Sequence, residues 1–392
     1  MPFLYKNLWF EVWLPEPKKT VKHLYSYMAT PAYSFGRCST MLFLPYVLLF
    51  LSTTLTTTAI VQLPSNMSIP AVIVFGDSIG DQGNNNNLTT LIKCNFSPYG
   101  KDFTGKFATG RFTNSKTPPD LLAAELGIKE LIPAYLDPNL HSKDLPTGVS
   151  FASGGTGYDP QTSILASVLG LSDQLKLFKD YIKRLEDSME KKQAHNILSN
   201  SLYLVIAGTD DLANTYFSTG VGRVEYDIGA YTNLMVDSAF NFIKELVKLG
   251  ARRIGVFSAP PVGCLPAQRT LAGGSLRVCA KDRNEASQLY NSKLSAKIDL
   301  FAKKHPHSRV AYVDIYHPLL DIIQHPRNYG IEVVDRGCCG TGDIEVAVLC
   351  NPTSPTCLNS SNHLFWDSYH PTEAGYMFLT RRILDENIHK IY

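Results

Sequence analysis

The chain is poor in charge and poorer in charge of one sign. Of 392 residues only 18% are Asp, Glu, Lys or Arg, and they nearly cancel to a net +2. No basic stretch alternates with aromatics, which excludes the electrostatic footprint of a nucleic-acid partner. There is no Walker-type glycine loop to cradle a nucleotide and no paired Cys-x-x-Cys. No His stands at ligand spacing to the cysteines, so no metal or nucleotide cofactor is expected. No repeat or low-complexity linker divides the chain, and nothing in it sets an oligomeric state. What is present is 44% hydrophobic sequence, enough for one large globular domain.

One absence is local. From Cys38 to Gly76 no charged residue occurs. Within that span Met41–Leu51 is a compact apolar run, preceded by Arg37 and followed by Ser/Thr-rich sequence to Ala59. A short apolar core with a basic flank and small residues after it reads as a secretory signal, too short for a spanning helix. Residues 41–59 are therefore expected to be a signal peptide and 1–40 a dispensable extension, with translation starting at Met28 or Met41. A signal anchor or an unrelated leader is the alternative. No stable transmembrane anchor is expected, and the protein should be extracellular or in the cell wall. Four Asn-x-Ser/Thr acceptors, at Asn66, Asn87, Asn95 and Asn359, agree with export. So do the seven cysteines beyond the signal, which should mostly pair in an oxidising compartment and leave one odd. Cys264 with Cys279 would close one short loop, and Cys338 or Cys339 with Cys350 or Cys357 another.

Beyond residue 70, apolar strands alternate with helices. Strands are predicted at Val72–Phe75, Val149–Ala152, Ser201–Ala207, Ile254–Phe257 and Val310–Val313. Helices are predicted at Pro119–Leu126, Ile228–Leu249 (stopped by Gly250), Lys281–Lys304 and Pro371–Ile391. Leu171, Leu175, Phe178, Ile182, Leu185 and Met189 fall at helical spacing and form one apolar stripe. Such alternation implies a parallel sheet covered on both faces, a single catalytic domain over residues 70–392, and ligands bound beyond the carboxyl ends of the strands. Ser78, Gly154 and Asp210 each follow a predicted strand and should converge on one rim.

Val72–Phe75 ends in Gly76-Asp77-Ser78-Ile79-Gly80, which presents a serine hydroxyl at a glycine-flanked turn. The string fits the G-x-S-x-G elbow of α/β-hydrolases. Position argues against that fold, because its nucleophile follows several strands and Ser78 follows the first. A nucleophile needs a base, and the base an orienting acid. Two Asp-x-x-His-Pro strings supply such a pair, Asp314/His317 and Asp367/His370, and spacing alone leaves both standing.

Gly76-Asp77-Ser78 followed by Asp81-x-Gly83-Asn84-Asn85-Asn86 resembles the first block of the plant GDSL esterase/lipase family, in the SGNH hydrolase superfamily. Further stretches resemble it in the same order: Thr109–Phe112, Ser150–Gly155, Gly250–Arg253, Pro260–Pro266 and Phe365–Thr372. Tyr158–Pro160 and Leu212–Phe217 are similar to its extracellular-lipase subgroup. The resemblance implies a three-layer α/β/α flavodoxin-like fold. It implies Ser78 as nucleophile, His370 as base and Asp367 as orienting acid, with His317 a bystander. It also implies the backbone N–H groups of Ser78 and Gly154 as oxyanion donors. Asp81 and Asn84 to Asn86 are read as loop-shaping hydrogen bonders, and Trp366 as packing the site wall.

One position departs. The superfamily's third block supplies an Asn donor, whereas this chain has Asp210. An ionised carboxylate would repel the oxyanion by about 4–5 kcal/mol at ~3–4 Å and an effective dielectric near ~20. Asp210 must therefore be protonated or turned away. The implied activity is hydrolysis of small-molecule or lipid carboxylic esters through an acyl-serine. An acyltransferase or a carbohydrate deacetylase with the same triad, and a non-catalytic glycan- or lipid-binding protein, are the competing readings.

Overall fold

The computed structural model describes residues 68–341 and 350–391, all within one compact unit of the chain. The predicted signal peptide, the extension before it and Asn66 lie outside the described residues.

In chain order the elements are β1 (Val72–Gly76), α1 (Pro118–Glu125), α2 (Pro160–Ala166), α3 (Leu171–Ser188), α4 (Lys191–Asn200) and β2 (Leu202–Ile206). A π-type helix follows (Asp211–Ser218), then α5 (Val221–Glu225), α6 (Ile228–Lys248), β3 (Arg253–Phe257), α7 (Pro266–Ala272) and α8 (Lys281–Lys304). The chain closes with β4 (Arg309–Val313), α9 (Tyr316–Gln324), β5 (Val333–Gly337), β6 (His363–Phe365) and α10 (Glu373–Ile391).

Strands β1 to β4 form a parallel sheet in that order. The segment expected as a strand at Val149–Ala152 is extended and lies parallel to β1 on its other side. Val74 N donates to Val149 O at 3.1 Å, and Phe151 N to Val74 O at 2.8 Å. It makes only isolated bridges, because Ser150 also pairs outward with Ala134 and the contact is too short to be a full strand. Counting it, the order in chain numbering is 2-1-3-4-5, the flavodoxin-like arrangement. The point where this order reverses is the carboxyl end of β1, where Ser78 stands.

Every residue of β1 and β2 is buried, as a strand covered on both faces requires. Alternate side chains feed two separate cores. Ile73, Phe75, Tyr203, Val205, Ile254 and Val256 pack with α3, α6 and α8, and Phe75 lies 5.1–5.4 Å from the rings of Phe151, Phe178 and Phe242. Val72, Val74, Leu202, Leu204 and Ile206 face α1 and α10 through Leu122, Ile383 and Leu384. This is the three-layer α/β/α fold. In α3 the buried line runs through Gln174, Phe178, Tyr181 and Leu185, with Leu171, Leu175 and Ile182 half-buried beside it. The core side of that helix is thus rotated toward an aromatic, and a polar Gln174 sits within it for a reason given below.

Disulfides join Cys264–Cys279, Cys338–Cys357 and Cys339–Cys350, and Cys94 is the buried free thiol. The latter two bridges brace the short β5–β6 sheet, an element that sequence periodicity does not reveal. Cys338 N donates to Phe365 O and Cys339 N to Trp366 O, at 2.9 and 2.7 Å. That ties the cystine segment directly to the chain leading into Asp367.

Candidate active site

Ser78 is placed by the abrupt end of β1. Gly76 has φ +123°, and a Cβ there would lie 1.7 Å from Ile206 O, so only glycine lets the chain turn against β2 at this point. Gln174 of α3 clamps the same residue on both sides, its Oε1 accepting from Gly76 N at 2.8 Å and its Nε2 donating to Gly76 O at 2.9 Å. Burying Gln174 costs nothing unpaired, since both of its polar ends are used on the backbone that aims Ser78.

His370 and Asp367 arrive from the loop between β6 and α10. The loop is pinned by Trp366 N donating to His370 O (2.7 Å) and Thr113 Oγ1 donating to Pro371 O (2.9 Å). Thr372 caps α10, its Oγ1 accepting from Gly375 N at 3.1 Å. His370 Nδ1 lies 2.9 and 2.8 Å from the two Asp367 oxygens, and Nε2 lies 2.7 Å from Ser78 Oγ. Burial alone would raise the Asp367 carboxyl, but the imidazole charge and the hydrogen bonds of His370 and Tyr369 outweigh it and hold the group below its usual range. An ionised carboxylate only accepts, so Nδ1 carries the proton and Nε2 is free to accept from Ser78. Asp367 also accepts from the Tyr369 and His370 backbone N–H groups, both at 2.8 Å, and from Tyr99 Oη at 2.8 Å. Phe112 packs on the imidazole with ring centroids 5.1 Å apart.

The rival pair, Asp314 and His317, is also in contact, Nδ1 to Oδ2 at 2.6 Å. His317 is exposed at the start of α9 and Asp314 half-buried, and the pair bonds no serine side chain among the described residues.

Gly154 is not where the sequence expectation puts it. Its N–H donates to Asp81 Oδ2 at 3.0 Å and is committed there, so it is not open to a ligand. Its carbonyl accepts from Asn85 Nδ2 at 2.9 Å. Across a planar trans peptide the next N–H points opposite to that carbonyl. That N–H belongs to Gly155, which lines the cavity and has no acceptor among the described residues. Of the two adjacent glycines, Gly155 is the one whose N–H is uncommitted, a distinction that the sequence could not make. The Ser78 N–H likewise has no acceptor among the described residues.

Asp81 and the asparagines after it shape the loop. Asp81 Oδ1 accepts from the N–H groups of Gly83 and Asn84. Asn84 Nδ2 reaches the carbonyls of Ser150 and Ala152, and Asn86 Nδ2 that of Thr109. Burial pushes the Asp81 carboxyl up to about 6 against these donors.

Asp210 does line the cavity beside Ser78 and His370. Its orientation follows from a directed chain of hydrogen bonds. Gln268 Nε2 donates to Tyr369 Oη (3.1 Å), which donates to Asn214 Oδ1 (2.9 Å), whose Nδ2 donates to Asp210 Oδ1 (2.6 Å). Oδ1 is therefore an acceptor, and any carboxyl proton belongs on Oδ2. Burial raises the carboxyl to about 6, against the imidazole charge of His370 and the Asn214 hydrogen bond, which lower it. Asp77, whose Oδ2 is buried without a partner, is pushed well above the ordinary carboxyl range by burial and then by Asp210.

These groups open onto one cavity of about 420 Å³, within the roughly 300–1,000 Å³ usual for small-molecule sites. Leu91 and Leu165, both exposed, stand at its outer edge. Trp366 is fully buried, stacks edgewise against Tyr99 at 6.2 Å, and supports the wall from behind. No group of three or more His, Cys, Asp or Glu side chains able to hold a metal occurs among the described residues. Tyr99, Asn214, Tyr369, Gln268 and Gly155 are the site residues that sequence reasoning missed, since their positions become meaningful only when distant elements meet.

Comparison with known proteins shows the family of the chain. The family model described as GDSL-like Lipase/Acylhydrolase matches residues 72–383. The GDSL esterase/lipase EXL3 of Arabidopsis thaliana is 54% identical over 343 residues, 87% of this chain and 93% of its own. A second Arabidopsis thaliana GDSL esterase/lipase is 50% identical over 332 residues, 84% of this chain and 89% of its own. Among solved structures, an acetylxylan esterase from Geobacillus stearothermophilus aligns over 82% of this chain and 94% of its own. That alignment has 13% identity and a TM-score of 0.36, too distant to carry anything about substrate.

Proposed function

The chain belongs to the GDSL-like lipase/acylhydrolase family and is a serine ester hydrolase, and from that premise we propose that Ser78, His370 and Asp367 are its catalytic triad. The observation that carries the assignment is the unbroken line Ser78 Oγ to His370 Nε2 at 2.7 Å and His370 Nδ1 to Asp367 at 2.8 Å, opening on the cavity.

Ser78 Oγ attacks the ester carbonyl carbon as its proton passes to His370 Nε2. The carbonyl π electrons become the oxyanion, met by the N–H groups of Ser78 and Gly155. Asp367 stabilises the imidazolium. Collapse expels the alcohol, which takes the proton from Nε2 and leaves an acyl-serine. Water then attacks, gives its proton to Nε2, and the acid departs as the proton returns to Ser78.

Asp210 contributes in this reading as a neutral carboxyl, with Oδ2–H as a third donor. Its charged form would oppose the oxyanion, while an acid kept neutral by its site donates as an amide would. We also read the protein as secreted, since six of its cysteines are paired. Asn87, Asn95 and Asn359 are exposed and accessible to glycosylation. No helix among the described residues is long and apolar enough to cross a membrane.

The test is hydrolysis of an ester series by wild type and Ser78→Ala, with fluorophosphonate labelling of both. Activity and labelling lost together in a folded Ser78→Ala protein support the assignment. Activity retained by that variant rejects it.

A further inference from the structure

We propose that the inner arm of the cavity, between α10, α9 and the end of β3, seats the acyl chain, and that the preferred substrates are esters of medium-chain fatty acids. This rests on the ester-hydrolase reading above and names the substrate class of the same site.

The cavity is not confined to the rim around Ser78. It continues beneath the rim, lined by Ile79, Phe257, Leu319, Tyr376, Leu379 and Ile383. Apart from half-buried Ile79, these are buried side chains. Their placement explains why the space exists. Phe257 and Ile383 belong to one apolar cluster, and Leu319, Tyr376 and Leu379 to another. The arm lies where side chains of the two clusters line one space, and half-buried Ile79 packs against both. On α10 the lining positions Tyr376, Leu379 and Ile383 are spaced three and four apart, so a single helix stripe forms one wall.

Polarity is graded along the arm. The charged residues lining the cavity (Asp77, Lys93, Asp210, Asp367 and His370) lie outside this inner set. At its near end Asp77 Oδ2 and the Tyr376 hydroxyl are buried without partners, so the part closest to Ser78 can meet the polar ester group. Deeper in, only hydrocarbon faces the space, which suits an alkyl chain and offers nothing to a sugar or a charged acyl group.

Length follows from the helix. On α10 the lining positions Tyr376 to Ile383 span about 10 Å at ~1.5 Å per residue, and an extended alkyl chain advances roughly 1.25 Å per carbon given a C–C bond of ~1.5 Å at tetrahedral angle. Alongside α10 the arm therefore accommodates about eight carbons, the medium-chain range.

The test compares p-nitrophenyl acetate, octanoate, dodecanoate and hexadecanoate on wild type and on Leu379→Trp, Ile383→Phe and Leu319→Ala, with circular dichroism and thermal melts on each. Wild type should prefer octanoate or dodecanoate to acetate. The two narrowing variants should lower the dodecanoate-to-acetate ratio of kcat/KM by about tenfold or more. Leu319→Ala, which widens the arm, should raise the hexadecanoate-to-octanoate ratio, and it keeps the proposal falsifiable if a bulky variant does not fold. Unchanged ratios in folded variants overturn the inference. So does a rise in melting temperature with unchanged ratios, which marks a packing void. Wild type preferring acetate overturns it too. Wild type that hydrolyses no ester and is not labelled at Ser78 by a fluorophosphonate rejects the hydrolase reading itself, a result distinct from the others.

Discussion

Tyr99 donates its phenolic hydrogen to Asp367 Oδ2 at 2.8 Å, across 268 residues of sequence. Asp367 is otherwise held by His370 Nδ1 and two backbone N–H groups, so the tyrosine supplies the only side-chain donor besides His370 among the described residues. Burial and the Asp367 charge hold the phenol well above its ordinary range, so it stays protonated and able to donate. Tyr99→Phe keeps the ring contacts with Phe96, Phe112 and Trp366 and removes that bond together with the hydroxyl's contact to the buried Cys94 thiol. It should lower kcat by about 10- to 150-fold, since a hydrogen bond to a charged group contributes about 1.5–3 kcal/mol, with little change in KM. A loss confined to KM would mean that Tyr99 shapes the cavity and does not steady the acid.

Ser78→Ala and His370→Ala should each reduce kcat by about 10⁴–10⁶-fold, and the double variant by scarcely more, because the residues act as one unit. Additive losses in steady-state kinetics would break the proposed triad. His317→Ala should leave activity within the error of the assay, since that imidazole is exposed and paired only with Asp314.

The Asp210 carboxyl, raised to about 6 by burial, sets a pH dependence. Below that value it is neutral and donates, and above it the carboxylate opposes the oxyanion. The alkaline side of the kcat/KM profile should therefore fall as pH rises through about 6. Asp210→Asn should remove that fall and hold activity at higher pH. If Asp210→Asn loses orders of magnitude at neutral pH, the carboxylate has a positive role in its charged form.

Asp77 tests the same field through stability. A carboxyl raised above its unfolded value binds protons more tightly in the native state, so stability declines as pH rises from the unfolded value through the folded one. Asp77→Asn should melt at a higher temperature than wild type at neutral pH. The difference should vanish as pH falls below the ordinary carboxylate range. A gap that persists at low pH would locate the effect in packing.

Arg111 and Asp120 form a buried two-point ion pair at 2.7 and 2.9 Å, and Arg111 also reaches Ile132 O at 2.8 Å. This gives the Thr109–Phe112 motif its structural content, since it anchors the loop that carries Phe112 to the His370 ring. Arg111→Ala leaves Asp120 buried without its cation and should cost about 3–5 kcal/mol in urea-unfolding free energy. A cost below ~1 kcal/mol would show that the donors at Thr117 and Ile132 suffice for Asp120.

Local chemistry made much of this legible in advance. Apolar runs marked the four sheet strands, β1 and β2 closing on Gly76 and Gly208, while apolar spacing marked α3 and Gly250 the stop of α6. These features depend on near neighbours in the chain, where periodicity and turn chemistry act. The same holds for Ser78 at the end of β1 and for a His three residues from its Asp. The segment at Val149–Ala152 was correctly extended, but its status as a bridge depended on Ala134, which no local pattern signals.

Sequence by itself determined the class of chemistry, because nucleophile, base and acid lie in two short motifs, Gly76–Gly80 and Asp367–Pro371. The family resemblance implied His370 over His317, and the tertiary structure supplies the physical reason: His370 meets Ser78 from a buried loop, whereas His317 is exposed beside Asp314. Tertiary structure alone decided that Gly155, and not Gly154, faces the cavity, because Asp81 and Asn85 grip the Gly154 N–H and carbonyl from a distant loop. The direction of the Gln268–Tyr369–Asn214–Asp210 chain and the cavity arm beside α10 belong to the same kind. Each arises where elements far apart in sequence pack together, and the physics of that contact is absent from either segment alone.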